Sequence, residues 1–146
     1  MKRKGIILAG GTGSRLYPIT KAVSKQLLPV FDKPMIYYPL STLMHTGIRE
    51  VLIITSEKDI DNFKRLLGGG ERFGLKLHYI IQEKPSGIAQ ALIIAKKFLN
   101  GEPSCLILGD NLFYGSELST NLKEANNNFY GATILGYKVN NPKNFG

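Results

Sequence analysis

The chain has 146 residues, 43% apolar and 21% charged, with 19 basic against 11 acidic side chains and a net charge of +8. That length sets an expectation of one soluble domain, able to bury roughly two-thirds of its unfolded surface. No run is apolar for long enough to span a membrane or form a signal-peptide core. The single cysteine excludes an internal disulfide, as expected of a cytoplasmic protein, and two histidines argue against structural zinc.

Lys2-Arg3-Lys4 leads into Gly5 to Ala9, an apolar run of buried-strand length. Gly10, Gly11 and Gly13 break it at once. A glycine-rich turn directs consecutive N–H groups into one concavity, which favours anions and phosphates above all. Thr12 and Ser14 add hydroxyls, and Arg15 adds a guanidinium fork suited to phosphate oxygens. The stretch reads as a nucleotide phosphate cradle, against the plain alternative of a structural turn. It is not a Walker A loop, because no Lys-Ser or Lys-Thr follows the glycines. Nor is it a dinucleotide fingerprint, which wants a small residue where Leu16 stands.

From Tyr17 to Val30, Pro18 and Pro29 predict a rigid, irregular connection, with Lys25 either solvated or in contact with ligand. Pro34 is expected to start a helix running to about Thr46 and stopping at Gly47, with Pro39 a candidate bend. Val51 to Thr55 reads as a strand, Ile60 to Leu67 as a helix closed by Gly68-Gly69-Gly70, and Leu77 to Ile81 as a strand in which His78 is a core or edge residue. The loop Gln82-Glu83-Lys84-Pro85-Ser86-Gly87 follows, lying where open α/β sheets bind ligands. Its Gln82 amide suits a base edge. A helix from Ile88 to Leu99 comes next, then a strand from Ser104 to Leu108 ending in Gly109-Asp110-Asn111. A carboxylate at such a strand end is a place to hold Mg²⁺ beside phosphates, or else caps a turn. A helix over Leu118 to Asn126 and a fifth strand over Ala132 to Val139 complete the alternation. The pattern predicts an α/β domain with three layers and a mostly parallel, Rossmann-like sheet flanked by helices.

Two rivals rank lower. The basic residues are scattered and carry no nucleic-acid motif, so a nucleotide is preferred to nucleic acid. An NAD-dependent oxidoreductase lacks its ribose-binding acid at the end of the second strand, Glu57 being the nearest candidate.

Gly10-Gly11-Thr12-Gly13-Ser14-Arg15-Leu16 resembles the Gly-Gly-x-Gly-x-Arg-Leu signature of the sugar-1-phosphate nucleotidylyltransferases. Ser24-Lys25-Gln26-Leu27-Leu28-Pro29-Val30 and Asp32-Lys33-Pro34-Met35-Ile36-Tyr37-Tyr38-Pro39-Leu40 are similar to the thymidylyl-transferring branch of that family. So are Gly87-Ile88-Ala89-Gln90-Ala91 and Leu108-Gly109-Asp110-Asn111-Leu112. The resemblance implies a nucleotide-diphospho-sugar transferase fold and transfer of a thymidylyl group from dTTP to glucose 1-phosphate, giving dTDP-glucose and pyrophosphate. It implies that the nucleotide lies along Leu8, Gly10, Gly11, Thr12, Gly13, Ser14, Arg15, Lys25 and Gln26, with Gln82, Pro85 and Gly87 around the base. Arg15, Lys25 and Asp110 would be catalytic, Asp110 would hold Mg²⁺, and Asn111 and Gly146 would touch the sugar phosphate.

No catalytic histidine or serine is needed for that chemistry. A sugar phosphate oxygen is already anionic at neutral pH, so the requirement is in-line positioning and neutralisation of charge on pyrophosphate. Family members continue past Phe145-Gly146 with a second metal carboxylate, much of the sugar pocket and a subunit interface. Residues 1–146 are therefore expected to be the N-terminal, nucleotide-binding part of the domain, the full-length enzyme being a homo-oligomer. The alternatives are a non-catalytic nucleotide-binding module that needs a second half, and a uridylyl- or adenylyl-transferring relative.

Overall fold

The computed structural model describes residues 2–11, 13–128, 130–136 and 138–140. Its centre is the first strand, β1 (Lys4–Ala9), whose apolar side chains alternate between two covered faces. β1 pairs in parallel with β4 (Glu50–Thr55) on one side and with β6 (Ser104–Leu108) on the other; β5 (Lys76–Ile81) extends the sheet beyond β4. The order is β5-β4-β1-β6, parallel throughout. Burial on both faces explains why these strands read as continuous apolar runs in the sequence.

On one face Ile7, Val51 and Ile53 pack with Ile36, with Leu40 and Leu43 of α1 (Tyr37–His45), and with Phe63 and Leu67 of α2 (Ile60–Leu67). On the other, Ile6, Leu52 and Ile54 meet Ala91 of α3 (Gln90–Ile94) and Ala95, with Phe98 and Leu99 of α4 (Lys96–Leu99) packed against them. The three layers and the parallel sheet expected from the alternation are present. Among the described residues no helix is long and apolar enough to cross a membrane.

Three expectations are corrected. Pro34 does not open a helix: Lys33–Pro34 forms β3 and pairs antiparallel with β2 (Pro29–Val30), turning at Phe31, whose φ is 59°. The helix starts at Tyr37 and accommodates Pro39 in its first turn, where backbone N–H groups have no partner to lose. The helix expected over 88–99 is divided into α3 and α4 at Ala95, and its first residue is Gln90 rather than Ile88. The fifth strand expected over 132–139 is absent among the described residues. Ile134 is 88% exposed there, and β propensity alone makes no strand where no neighbouring strand pairs with the stretch.

The last helix, α5 (Leu118–Asn127), is tied to the sheet by Arg3. The Arg3 guanidinium donates to Asn126 Oδ1 at 2.9 Å and to the carbonyls of Ser104, Asn126 and Asn128 at 3.0, 3.0 and 2.9 Å. A cation at a helix C-terminus, filling carbonyls that the helix leaves open, is favourable on both counts. His78 makes structural contacts only among the described residues, to Glu50 Oε1 at 2.9 Å and to the Phe98 ring.

Candidate nucleotide site

A cavity of about 230 Å³ opens where β1, β5 and β6 end. Its floor is built from two strand ends held together, the Gly109 N–H donating to the Leu8 carbonyl at 2.9 Å. A side chain at Gly109 would come within 2.9 Å of Gln26 Cγ and 3.2 Å of Ala9 Cα, so glycine is what lets Asp110 follow so close to β1.

The glycine loop forms one wall. Gly11 has φ +97° and Gly13 φ +60°, conformations that side chains rarely adopt. Thr20 fastens the far end of the loop by donating from its hydroxyl to the Gly13 carbonyl at 2.8 Å. Thr12 lies outside the described residues.

Opposite the loop stands the 3₁₀ turn Lys25–Leu27, within the segment where Pro18 and Pro29 predict a rigid, irregular connection. Gln26 is 1% exposed. Its amide accepts from the Ser24 hydroxyl and donates to the Gly10 carbonyl at 3.4 Å, while Ile36 N–H donates to its backbone carbonyl at 2.9 Å. Burying that amide fixes the backbone so that neighbouring Lys25 reaches across the cavity and pairs with Asp110 Oδ2. The ammonium and the carboxylate are both about one-third exposed or less, so each can exchange its partner for a ligand.

The third wall comes from the loop after β5. Gln82 is 7% exposed, and its backbone N–H donates to the Thr55 carbonyl at 2.8 Å. Its side-chain oxygen lies so close to Gly10 that a Cβ there would meet it at 2.6 Å. Pro85 and Gly87 line the rim, Gly87 with φ +88°.

The structure thus gathers Leu8, Gly10, Gly11, Lys25, Gln26 and Asp110 around one cavity, together with Gln82, Pro85 and Gly87. Gly13, Ser14, Arg15 and Asn111 do not line it. Ser14 and Arg15 are exposed on the 3₁₀ turn after the loop, and Arg15 makes no hydrogen bond or ion pair among the described residues. Gly146 lies outside the described residues. Ile88 and Leu108 also line the cavity. As apolar residues beside a strand end they carry no chemical signal that sequence reasoning could have used.

One side therefore offers backbone N–H groups, a lysine and a carboxylate; the other offers a buried amide and apolar surface. The first suits a triphosphate and the second a planar base. No group of three or more acidic, histidine or cysteine side chains able to hold a metal ion occurs among the described residues. Asp110 fits a cation held by one carboxylate together with ligand phosphates and waters, which is how Mg²⁺ is commonly bound.

A larger cleft, about 600 Å³, lies at the opposite end of the sheet and is also basic, with Lys2, Arg3, Lys4, Arg49 and Lys76 along it. Its cations are mostly committed. Besides Arg3, Lys4 Nζ donates to the Phe98 carbonyl at 2.7 Å, and Arg49 donates to those of Met44 and Ile48, each at 2.9 Å.

Residues 4–146 match the nucleotidyl transferase family. A glucose-1-phosphate thymidylyltransferase of Neisseria meningitidis is 57% identical over 143 residues, covering 98% of this chain and 50% of that protein. Among solved structures, a Bacillus anthracis protein provisionally assigned as glucose-1-phosphate thymidylyltransferase, in complex with a sucrose, superposes with a TM-score of 0.77 and 44% identity. The match covers 85% of this chain and 50% of that one. A UDP-glucose pyrophosphorylase complexed with UDP-glucose gives a TM-score of 0.69 and 26% identity, over 86% of this chain and 52% of that one. The chain spans about half the length of the curated relatives it matches.

Proposed function

Because this chain belongs to the nucleotidyl transferase family, we propose that it is the nucleotide-binding part of an enzyme that transfers a thymidylyl group from dTTP to glucose 1-phosphate, releasing pyrophosphate. The observation that carries this reading is the cavity, with the glycine loop, Lys25 and Asp110 on one side and Gln82 on the other.

In that reaction a phosphate oxygen of the sugar attacks the α-phosphorus of dTTP. An O–P bond forms, the bond from the α-phosphorus to the bridging oxygen breaks, and pyrophosphate leaves with the electron pair. The nucleophile is already an anion, so no residue has to remove a proton. The protein's task is to hold two anions in line and to match the charge that grows on the leaving group. Gly10 and Gly11 present the backbone to the phosphates. Lys25, released from Asp110, follows them with its ammonium. Arg15, uncommitted on the adjacent turn and outside the cavity lining, is the residue proposed to meet the departing pyrophosphate. Members of the family generally work with a divalent metal ion, and Asp110 would hold it here, Mg²⁺ being our choice. When bound, the cation neutralises phosphate charge and favours departure of pyrophosphate. Asn111 and Gly146 are the residues proposed for the sugar phosphate.

A uridylyl-transferring enzyme is the second reading, favoured by the fold shared with the UDP-glucose pyrophosphorylase. Thymine and uracil present the same polar edge, so Gln82 serves either. Calorimetry with dTTP, UTP, dCTP and ATP separates the readings. The expected order places dTTP tightest; UTP tightest installs the second reading, and four equal affinities overturn both.

A further inference from the structure

A side-chain amide has an oxygen and a nitrogen of nearly equal size, so whether it reads a base as acceptor or donor depends on which end faces the ligand. In this fold that choice is traceable to a group with no ambiguity. The backbone N–H of Ser86 can only donate, and it lies 2.9 Å from Gln90 Oε1. That Gln90 atom must therefore be the acceptor. The same oxygen takes a second hydrogen bond, at 2.6 Å, from Gln82 Nε2. The Gln82 nitrogen is thus turned toward Gln90, and its oxygen lies on the side of Gly10, which lines the cavity together with Gln82. Among the described residues nothing donates to that oxygen.

We infer that Gln90 is a positioning residue that sets the base selectivity of the site: with Ser86 it locks Gln82 so that an acceptor, never a donor, meets the base. The inference rests on the nucleotide reading above. A presented acceptor pairs with the ring N3–H of thymine or uracil. Cytosine has a bare N3 lone pair there, which leaves two acceptors facing each other. Guanine carries a ring N–H too, so it separates ring size from polarity as a control.

Dissociation constants of dTTP, dCTP, dGTP and inorganic tripolyphosphate, measured by calorimetry on the full chain, test this. Gln90→Glu keeps an acceptor for both Ser86 N–H and Gln82 Nε2, and is expected to keep the wild-type preference for dTTP over dCTP. Gln90→Leu frees the amide to turn and should lower that preference about tenfold, the scale of one unsatisfied buried polar group. Tripolyphosphate affinity should be the same in all three proteins. A Gln90→Leu protein as selective as wild type overturns the inference alone. So does equal loss in both variants together with tripolyphosphate binding, which would make Gln90 merely structural. A wild type that holds no nucleoside triphosphate, or holds all of them equally, overturns the thymidylyl reading and this inference together.

Discussion

Both ends of the sheet are basic, yet their cations serve different ends. At the N-terminal ends of the strands, Arg3, Lys4 and Arg49 donate to backbone carbonyls and complete the fold. At the C-terminal ends, Lys25 rests on a carboxylate that a phosphate can displace and a metal can claim, and Arg15 rests on nothing among the described residues. The larger cleft lies at the first end and the better-equipped site at the second. Neither volume nor charge density sets the two ends apart; what the charges already hold does.

Removing one arginine from each end sharpens the contrast. Arg15→Ala, in a chain extended to the length of its relatives, is expected to lower kcat by about a hundredfold or more, the usual loss of a preorganised charge-stabilising donor. Its KM for dTTP should change only a few-fold, and thermal stability should stay as in wild type. Steady-state pyrophosphate release checks this; a rise in KM with kcat intact would make Arg15 a ground-state anchor. Arg3→Met should do the reverse. It strips four hydrogen bonds from the end of α5 and the start of β6, and should cost about 2–4 kcal/mol in denaturant unfolding. dTTP affinity, measured below the transition, should be unchanged.

A smaller effect belongs to neither end. Tyr79, within β5, donates to the Gly68 carbonyl at 2.6 Å. Burial, and secondarily the charge of Glu71, raises its phenol from the ordinary 10 to about 12. A group whose folded pKa is raised stabilises the fold below its unfolded pKa and loses that contribution as pH rises through the folded one. Wild type should therefore lose stability relative to Tyr79→Phe between about pH 10 and 12, with no relative change from pH 6 to 9. Denaturant midpoints of the two proteins across that range decide it.

Much of this was legible in the residues. The four strands of the main sheet announce themselves as apolar runs because helices cover both faces, and Ile60 to Leu67 places Phe63 and Leu67 one turn apart on its buried side. The hairpin at Lys33–Pro34 was not legible, because its turn uses Phe31 at positive φ, where glycine or asparagine is the usual signal. Pro39 misled by suggesting a bend, although its place in the first turn removes the penalty. In the site, the glycine loop, Lys25, Gln82 and Asp110 carry residue types whose chemistry can be named in advance. Gln90 does not, since its importance lies in meeting Ser86 and Gln82 across a turn, a relation that only coordinates show.

The register of the sheet also sets an order in time. Lys4 pairs with Ser104, so the central strand acquires its second neighbour only after 100 further residues have been made. At ribosomal rates that is a delay of roughly 5–20 s. Until then Leu8 lacks the Gly109 N–H that joins the strand ends, and Asp110 has not arrived to meet Lys25. The glycine loop emerges long before the strand end that completes the cavity with it. A ligand that needs both walls of the cavity can therefore stabilise a chain that has reached Asp110, and not a shorter one.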